Sequence, residues 1–294
     1  MFAGILSIVL AVQLLVPSIV VGSPNHTVVD VEADSAAKSS VTKSVYNRES
    51  SLWGGGQIRE EHPNHIAIVI DDFGNGMKGT EEMLELGIPL TVAVMPFLPT
   101  TEKDAQEAHR RGYDVLVHLP MEPNQGKSSW LGPGAITTDL SDEEIRSRVE
   151  EAIDAVPFAI GVNNHMGSKA TSDKRVMQIV MDVCREKGLF FLDSRTSYLS
   201  KAVEVAASSK VPLLQNNIFL DEIHTIDHVR KQLNKVKKRA RSEHITIVIG
   251  HVGPPGRITA AMLKRSVEEL QEVGELVRIS ELLPYGTHPA GRHK

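Results

Sequence analysis

Between Ile66 and Ser280 the chain repeats one texture, in which short apolar runs rich in Val and Ile are separated by longer amphipathic stretches. The runs are IAIVI (66–70), LTVAVM (90–95), DVLVHL (114–119), FAIGV (158–162), LFFLD (189–193), a weaker VPLLQ or IFL between Val211 and Leu220, ITIVIG (245–250) and LVRIS (276–280). Runs this short and this β-branched predict strands rather than helices. They are continuous instead of alternating, so both faces of each strand are expected to be buried, as in a parallel sheet or barrel wrapped by helices. The fold class is therefore α/β, with seven to eight parallel strands in one domain. The intervening helices carry end signals: Ser141-Asp142-Glu143-Glu144 is a capping box, and Gly112 and Gly188 follow amphipathic runs where a left-handed terminator is wanted.

The chain's 294 residues, 41% of them hydrophobic, suffice for one large core and exclude a disordered protein. A formal net charge of -5 argues against a nucleic-acid partner. The single cysteine, Cys184, can form no internal disulfide, and its apolar-periodic surroundings predict a buried structural thiol. Aromatics are only 4%, so a sugar-binding surface here has to work mainly through polar groups, with a few rings such as Trp130.

Residues Phe2 to Gly22 contain no charge. Gln13 and Pro17 weaken this segment as a spanning helix, and Val20-x-Gly22 resembles a signal-peptidase site, so residues 1–22 read as an export signal, with an uncleaved membrane anchor as the alternative. The missing Lys or Arg ahead of the apolar run departs from an ordinary signal. Either reading places the bulk of the chain outside the cytoplasm, periplasmic or extracellular. Residues 23–63 are polar, include Gly54-Gly55-Gly56 and read as a linker; residues 64–285 form the folded domain and 286–294 a tail.

In parallel α/β folds the loops after the strand C-termini share one face, where reactive groups gather. Asp71 and Asp72, His118 and Glu122, Asn164 and His165, Asp193 and Arg195, Asp221, and His251 all follow such runs. A lone histidine at a strand end is usually a hydrogen-bonded rim residue. Three on one face beside paired carboxylates point to chemistry instead. Asp71 and Asp72 are adjacent in an extended segment, so their side chains are expected on opposite sides, one toward a metal and one toward substrate; the competing role is an acidic N-cap for a helix starting near Asn75. An Asp with two His suits zinc, which accepts imidazole and carboxylate and leaves positions open in catalytic sites. Glu122, four residues after His118, is either a further ligand or the acceptor of an imidazole N–H.

The ordered set DDFG (71–74), GYDVLVHLPMEP (112–123), GVNNHMGS (161–168), FLDSRTS (191–197), FLD (219–221) and IGHVGP (249–254) resembles the divergent polysaccharide deacetylase family, a branch of the NodB-like carbohydrate esterases, over roughly Ile66 to Pro284. The resemblance implies a distorted (β/α) barrel and a zinc-dependent site, or one holding another divalent transition metal, that removes acetyl groups from N-acetylated sugars. It implies that Asp71 is the general base, Asp72 a metal ligand and His251 the general acid. The family's H-x-x-x-H segment aligns with His118 to Glu122, so Glu stands where the second His is expected. Its Arg-Pro motif is absent; Asn163-Asn164-His165 stands there and makes His165 the implied replacement ligand. Asp193 and Arg195 resemble the family's supporting charged pair in a different arrangement.

Amide hydrolysis needs a strong nucleophile, a stabiliser for the oxyanion and an acid for the departing amine. Zinc supplies the first two, while Asp71 takes the water proton and His251 delivers one to the amine. The expected partner is an acetylated glycan, with membrane contact confined to the N-terminal segment. An envelope-scaffold or carbohydrate-binding protein that keeps the barrel without turnover is the competing class. The basic stretch Arg230 to Arg241 reads as a solvated helix face, against contact with anionic lipid or cell-wall polymer. No Ser sits in a G-x-S-x-G elbow, which argues against a serine hydrolase.

Overall fold

A computed structural model of the protein describes residues 64–126 and 130–283. The N-terminal apolar segment, the linker and the tail lie outside the described residues. Strands and helices alternate as expected, in the order β1 (His65–Phe73), α1 (Thr80–Leu84), β2 (Thr91–Val94), α2 (Thr101–Arg110), β3 (Asp114–Met121) and α3 (Asp142–Ala155). They continue as β4 (Ala159–Met166), α4 (Lys174–Lys187), β5 (Phe190–Asp193), α5 (Ala202–Ser209), β6 (Leu213–Gln215) and β7 (Ile218–Phe219), then α6 (Ile226–Ala240), β8 (Ile245–His251), α7 (Gly256–Gln271) and β9 (Glu275–Val277). Every strand pairing is parallel.

The sheet order is β6-β5-β4-β3-β2-β1-β8-β7. Its two ends, β6 and β7, are separated in the chain by only Asn216 and Asn217. The Asn216 N–H bonds to Asp193 O next to β6, while the Asn217 N–H bonds to Ile247 O of β8 and its side-chain oxygen accepts from Ile247 N. One bent segment thus ties both sheet edges, and the sheet curls into an open barrel. At its N-terminal end β1 is flanked by β9 (His65–Ala67) and farther along by β2, with β8 along its other edge.

Strand periodicity divides the core into two layers. Along β1, Ile66, Ile68 and Ile70 pack with helix residues such as Met83, Ala105, Val180 and Leu263, whereas Ala67 and Val69 pack inside the barrel with Ala93, Leu116, Phe190 and Ile249. This is why the runs read as continuous: both faces meet apolar neighbours. Helix ends follow their signals. The Ser141 hydroxyl accepts from Glu144 N while the Glu144 carboxylate accepts from Ser141 N, and Gly188 closes α4 at φ 70°. Cys184 lies buried on α4, where burial pushes its thiol up to about 12. In α6 the apolar Val229, Leu233 and Val236 face inward and most of the Lys and Arg residues face solvent.

Candidate metal and catalytic site

The C-terminal ends of β1, β3, β4, β7 and β8 converge on one cleft of about 350 Å³. Strand register sets which side chains meet. His118 of β3 stands directly opposite Asn163 of β4, and Asp71 opposite His251 of β8. Because alternate residues share a strand face, His165 joins Asn163 on the cleft side. Asn164 points elsewhere and clamps β4 to the segment after β5, its Oδ1 accepting from Ser194 N and its Nδ2 donating to Met166 O.

Asp71 and Asp72 do not diverge as an extended segment would require. The β1–β2 register shifts between Ile70 and Phe73, and Asp72 is left-handed at φ 71°. This bulge turns both carboxylates toward one imidazole: His118 Nε2 lies 3.2 Å from Asp72 Oδ1 and 3.7 Å from Asp71 Oδ2. The first helix begins only at Thr80, with Gly79 at its N-cap, so this pair caps no helix. Left-handed φ recurs just after or at the ends of β4 and β5, at Met166 (53°) and Arg195 (58°), so three of the six non-glycine left-handed residues among the described residues lie at this end of the barrel.

Asp72 Oδ1, His118 Nε2 and His165 Nδ1 form a triangle with sides of 3.1, 3.1 and 3.2 Å. Zinc bonds of ~2.0–2.1 Å in a tetrahedral site set neighbouring donors about 3.3 Å apart, close to these sides. Asp72 Oδ1 is buried without a hydrogen bond of good geometry, as expected of an oxygen whose partner is a cation. Each imidazole uses its other nitrogen elsewhere, His118 Nδ1 on Asn163 Oδ1 at 2.9 Å and His165 Nε2 on the Trp130 carbonyl at 3.2 Å. The donor set fits a divalent metal.

Burial raises the Asp71 carboxyl above its usual range despite the lowering effect of His118 and His251. Burial acts the same way on Asp72, but the two imidazoles beside it hold its carboxyl well below that range. His251 would be lowered by burial, yet the hydrogen bond to Asp221 and the charges of Asp72, Asp221 and Asp71 push it up to about 9. Asp221 Oδ1 lies 2.7 Å from His251 Nδ1, and its Oδ2 accepts from His251 N and the Thr259 hydroxyl. The ring is held through Nδ1, and among the described residues no hydrogen-bond partner meets Nε2.

Glu122 is not among the converging donors. Its carboxylate accepts from Thr138 N, the Thr138 hydroxyl and Lys169 Nζ at 2.8 Å each, and it approaches neither imidazole. Both roles expected of it are thereby corrected, since β3 ends at Met121 and Glu122 leaves the barrel face to anchor the 136–138 and 169–170 loops. The Asp193–Arg195 pair is corrected too. Asp193 is buried and accepts from Arg195 N and the Ser200 hydroxyl, so it braces a turn, while the Arg195 side chain is exposed and no ion pair joins the two among the described residues. Two participants have roles that the sequence alone did not assign. Asn163 carried a usable signal, two residues before His165 and hence on its strand face; Asp221 was marked as a strand-end acid, but its pairing with His251 needed the β7–β8 register.

A family model described as divergent polysaccharide deacetylase matches residues 68–283. The uncharacterized Escherichia coli K12 protein YibQ is 36% identical over 218 residues, covering 74% of this chain and 67% of its own. An uncharacterized Haemophilus influenzae protein is 36% identical over 217 residues, covering 74% and 76% respectively. The crystal structure of the uncharacterized ATU2773 from Agrobacterium tumefaciens C58 shares the fold with a TM-score of 0.69 at 21% identity, over 79% of this chain and 92% of that one.

Proposed function

Given that the chain belongs to the divergent polysaccharide deacetylase family, we propose that it is an exported, metal-dependent hydrolase that removes acetyl groups from N-acetylated polysaccharide or cell-wall glycan. The observation that carries this reading is the meeting, in one cleft, of a three-donor triangle with a buried carboxylate and a carboxylate-held histidine that do not belong to the triangle. Asp72, His118 and His165 would hold the metal, whose chemistry is to polarise the acetyl carbonyl and acidify water.

The remaining work falls to the chain. Asp71, with its carboxyl raised by burial, accepts the proton of the attacking water. His251, held by Asp221 and pushed up to about 9 by that hydrogen bond and the carboxylates beside it, donates a proton to the departing amine. A sugar in this cleft would meet exposed Thr196 and Gln125 with its hydroxyls, and Met166 and Phe219 with its apolar face.

Asp71→Asn keeps the shape but removes the proton acceptor, and His251→Ala removes the donor. With N-acetylated chito-oligosaccharides or peptidoglycan fragments, each is expected to lower acetate release by roughly 10²-fold or more while leaving zinc content unchanged. No turnover by the wild type, with glycan bound equally by wild type and both variants, would replace the enzyme by a binding protein.

A further inference from the structure

We infer that Asn163 is a positioning residue whose single amide ties the proton-accepting carboxylate to the metal-facing histidine, an inference that rests on the hydrolase reading above. Asn163 is fully buried on β4. Its Nδ2 donates to Asp71 Oδ1 at 2.9 Å, and its Oδ1 lies 2.9 Å from His118 Nδ1. The chemistry of the two neighbours fixes the amide's direction. An ionised carboxylate only accepts, so the NH₂ must face Asp71; the amide oxygen then faces His118, and because it too only accepts, Nδ1 must carry the proton. In the neutral ring that leaves Nε2 unprotonated, 3.2 Å from Asp72 Oδ1 and 3.1 Å from His165 Nδ1, the other corners of the donor triangle.

Strand register makes the arrangement specific to this residue type. His118 and Asn163 are opposite partners, and the bulge at Asp72 brings the Asp71 carboxylate within reach of the same amide. Asn163 supplies the only side-chain hydrogen bond that Asp71 receives among the described residues. The hydroxyl of Ser194, 3.5 Å from Asn163 Nδ2, makes the amide's one further side-chain hydrogen bond among the described residues. An aspartate at 163 would still accept from His118 but would oppose the Asp71 carboxylate. A leucine would serve neither neighbour.

The two replacements therefore separate the two contacts. Zinc affinity is measured by chelator competition, alongside acetate release and NMR of the cobalt-loaded protein, in which the exchangeable His118 Nδ1 proton is observed directly. Asn163→Leu is expected to weaken zinc binding by about 10- to 100-fold, the scale for losing the partner of a ligating histidine, and to lose that proton signal to solvent exchange. Asn163→Asp is expected to keep the signal and near-wild-type zinc affinity while losing turnover by roughly 10²-fold. Asn163→Leu with unchanged affinity and signal overturns the proposal, as does Asn163→Asp with either wild-type turnover or tenfold weaker zinc. Should Asn163→Leu fail to fold, the Asn163→Asp outcomes decide alone. A wild type that binds neither zinc nor cobalt instead overturns the metal-dependent reading beneath it.

Discussion

His251 shows how single residues are tuned by what folding puts beside them. Burial alone would discharge it, but Asp221, Asp72 and Asp71 reverse that effect and carry it to about 9, above the ordinary ~6.5 of a histidine. A group whose pKa is raised by folding stabilises the native state fully below its unfolded value, and that contribution disappears as pH rises through the folded value. In metal-free protein, the stability gap between wild type and His251→Gln should thus be full below about pH 6.5 and close through about pH 9, as read by urea unfolding at a series of pH values. A gap that stays constant or widens across that range would contradict the Asp221–His251 pairing. From the residue string, His251 was recognisable as a strand-end histidine. Its charge was not, because the carboxylates that set it are 30, 179 and 180 positions away in sequence.

At the scale of elements, close strand contact depends on small side chains at specific register positions. Gly161 of β4 pairs with Phe190 of β5, and a Cβ on Gly161 would come within 2.6 Å of the phenyl ring. Gly161→Ala is therefore expected to cost about 1–3 kcal/mol, the range for overpacking a filled core, measured by chemical denaturation with unchanged secondary structure. A cost below ~0.5 kcal/mol would mean that the ring repacks freely. The strands themselves were legible: seven of the eight apolar runs supply the eight strands of the barrel path, because the weak region between Val211 and Leu220 resolved into both β6 and β7, and the eighth run, LVRIS, supplies β9 beside β1. The bulge at Asp71–Asp72 was not, because nothing in a DD pair announces that the second residue is left-handed. That conformation converts two side chains expected to diverge into two that converge on His118.

For the molecule as a whole, the proposed metal site joins strands β1, β3 and β4 and should couple ion binding to folding. Zinc is expected to raise the thermal midpoint of the wild type and of Glu122→Ala, whose carboxylate serves Lys169 and Thr138, but not of the Asp72→Ala, His118→Ala double variant. Stoichiometric zinc in the double variant would refute the assignment. Export is tested by intact-mass analysis of protein from its native envelope, where a mature N-terminus near Ser23 is expected; a full-length membrane-bound product would favour an anchor, and a soluble cytoplasmic one would sink both. The sequence by itself determined the elements and the face on which chemistry gathers, since apolar runs, caps and strand-end polar residues are local patterns that the backbone obeys wherever it folds. Only the tertiary structure decided which strand-end groups meet. Glu122 follows His118 by four positions yet serves a surface loop, whereas His165, 47 positions away, completes the triangle, because the distances between reactive atoms are set by register between strands.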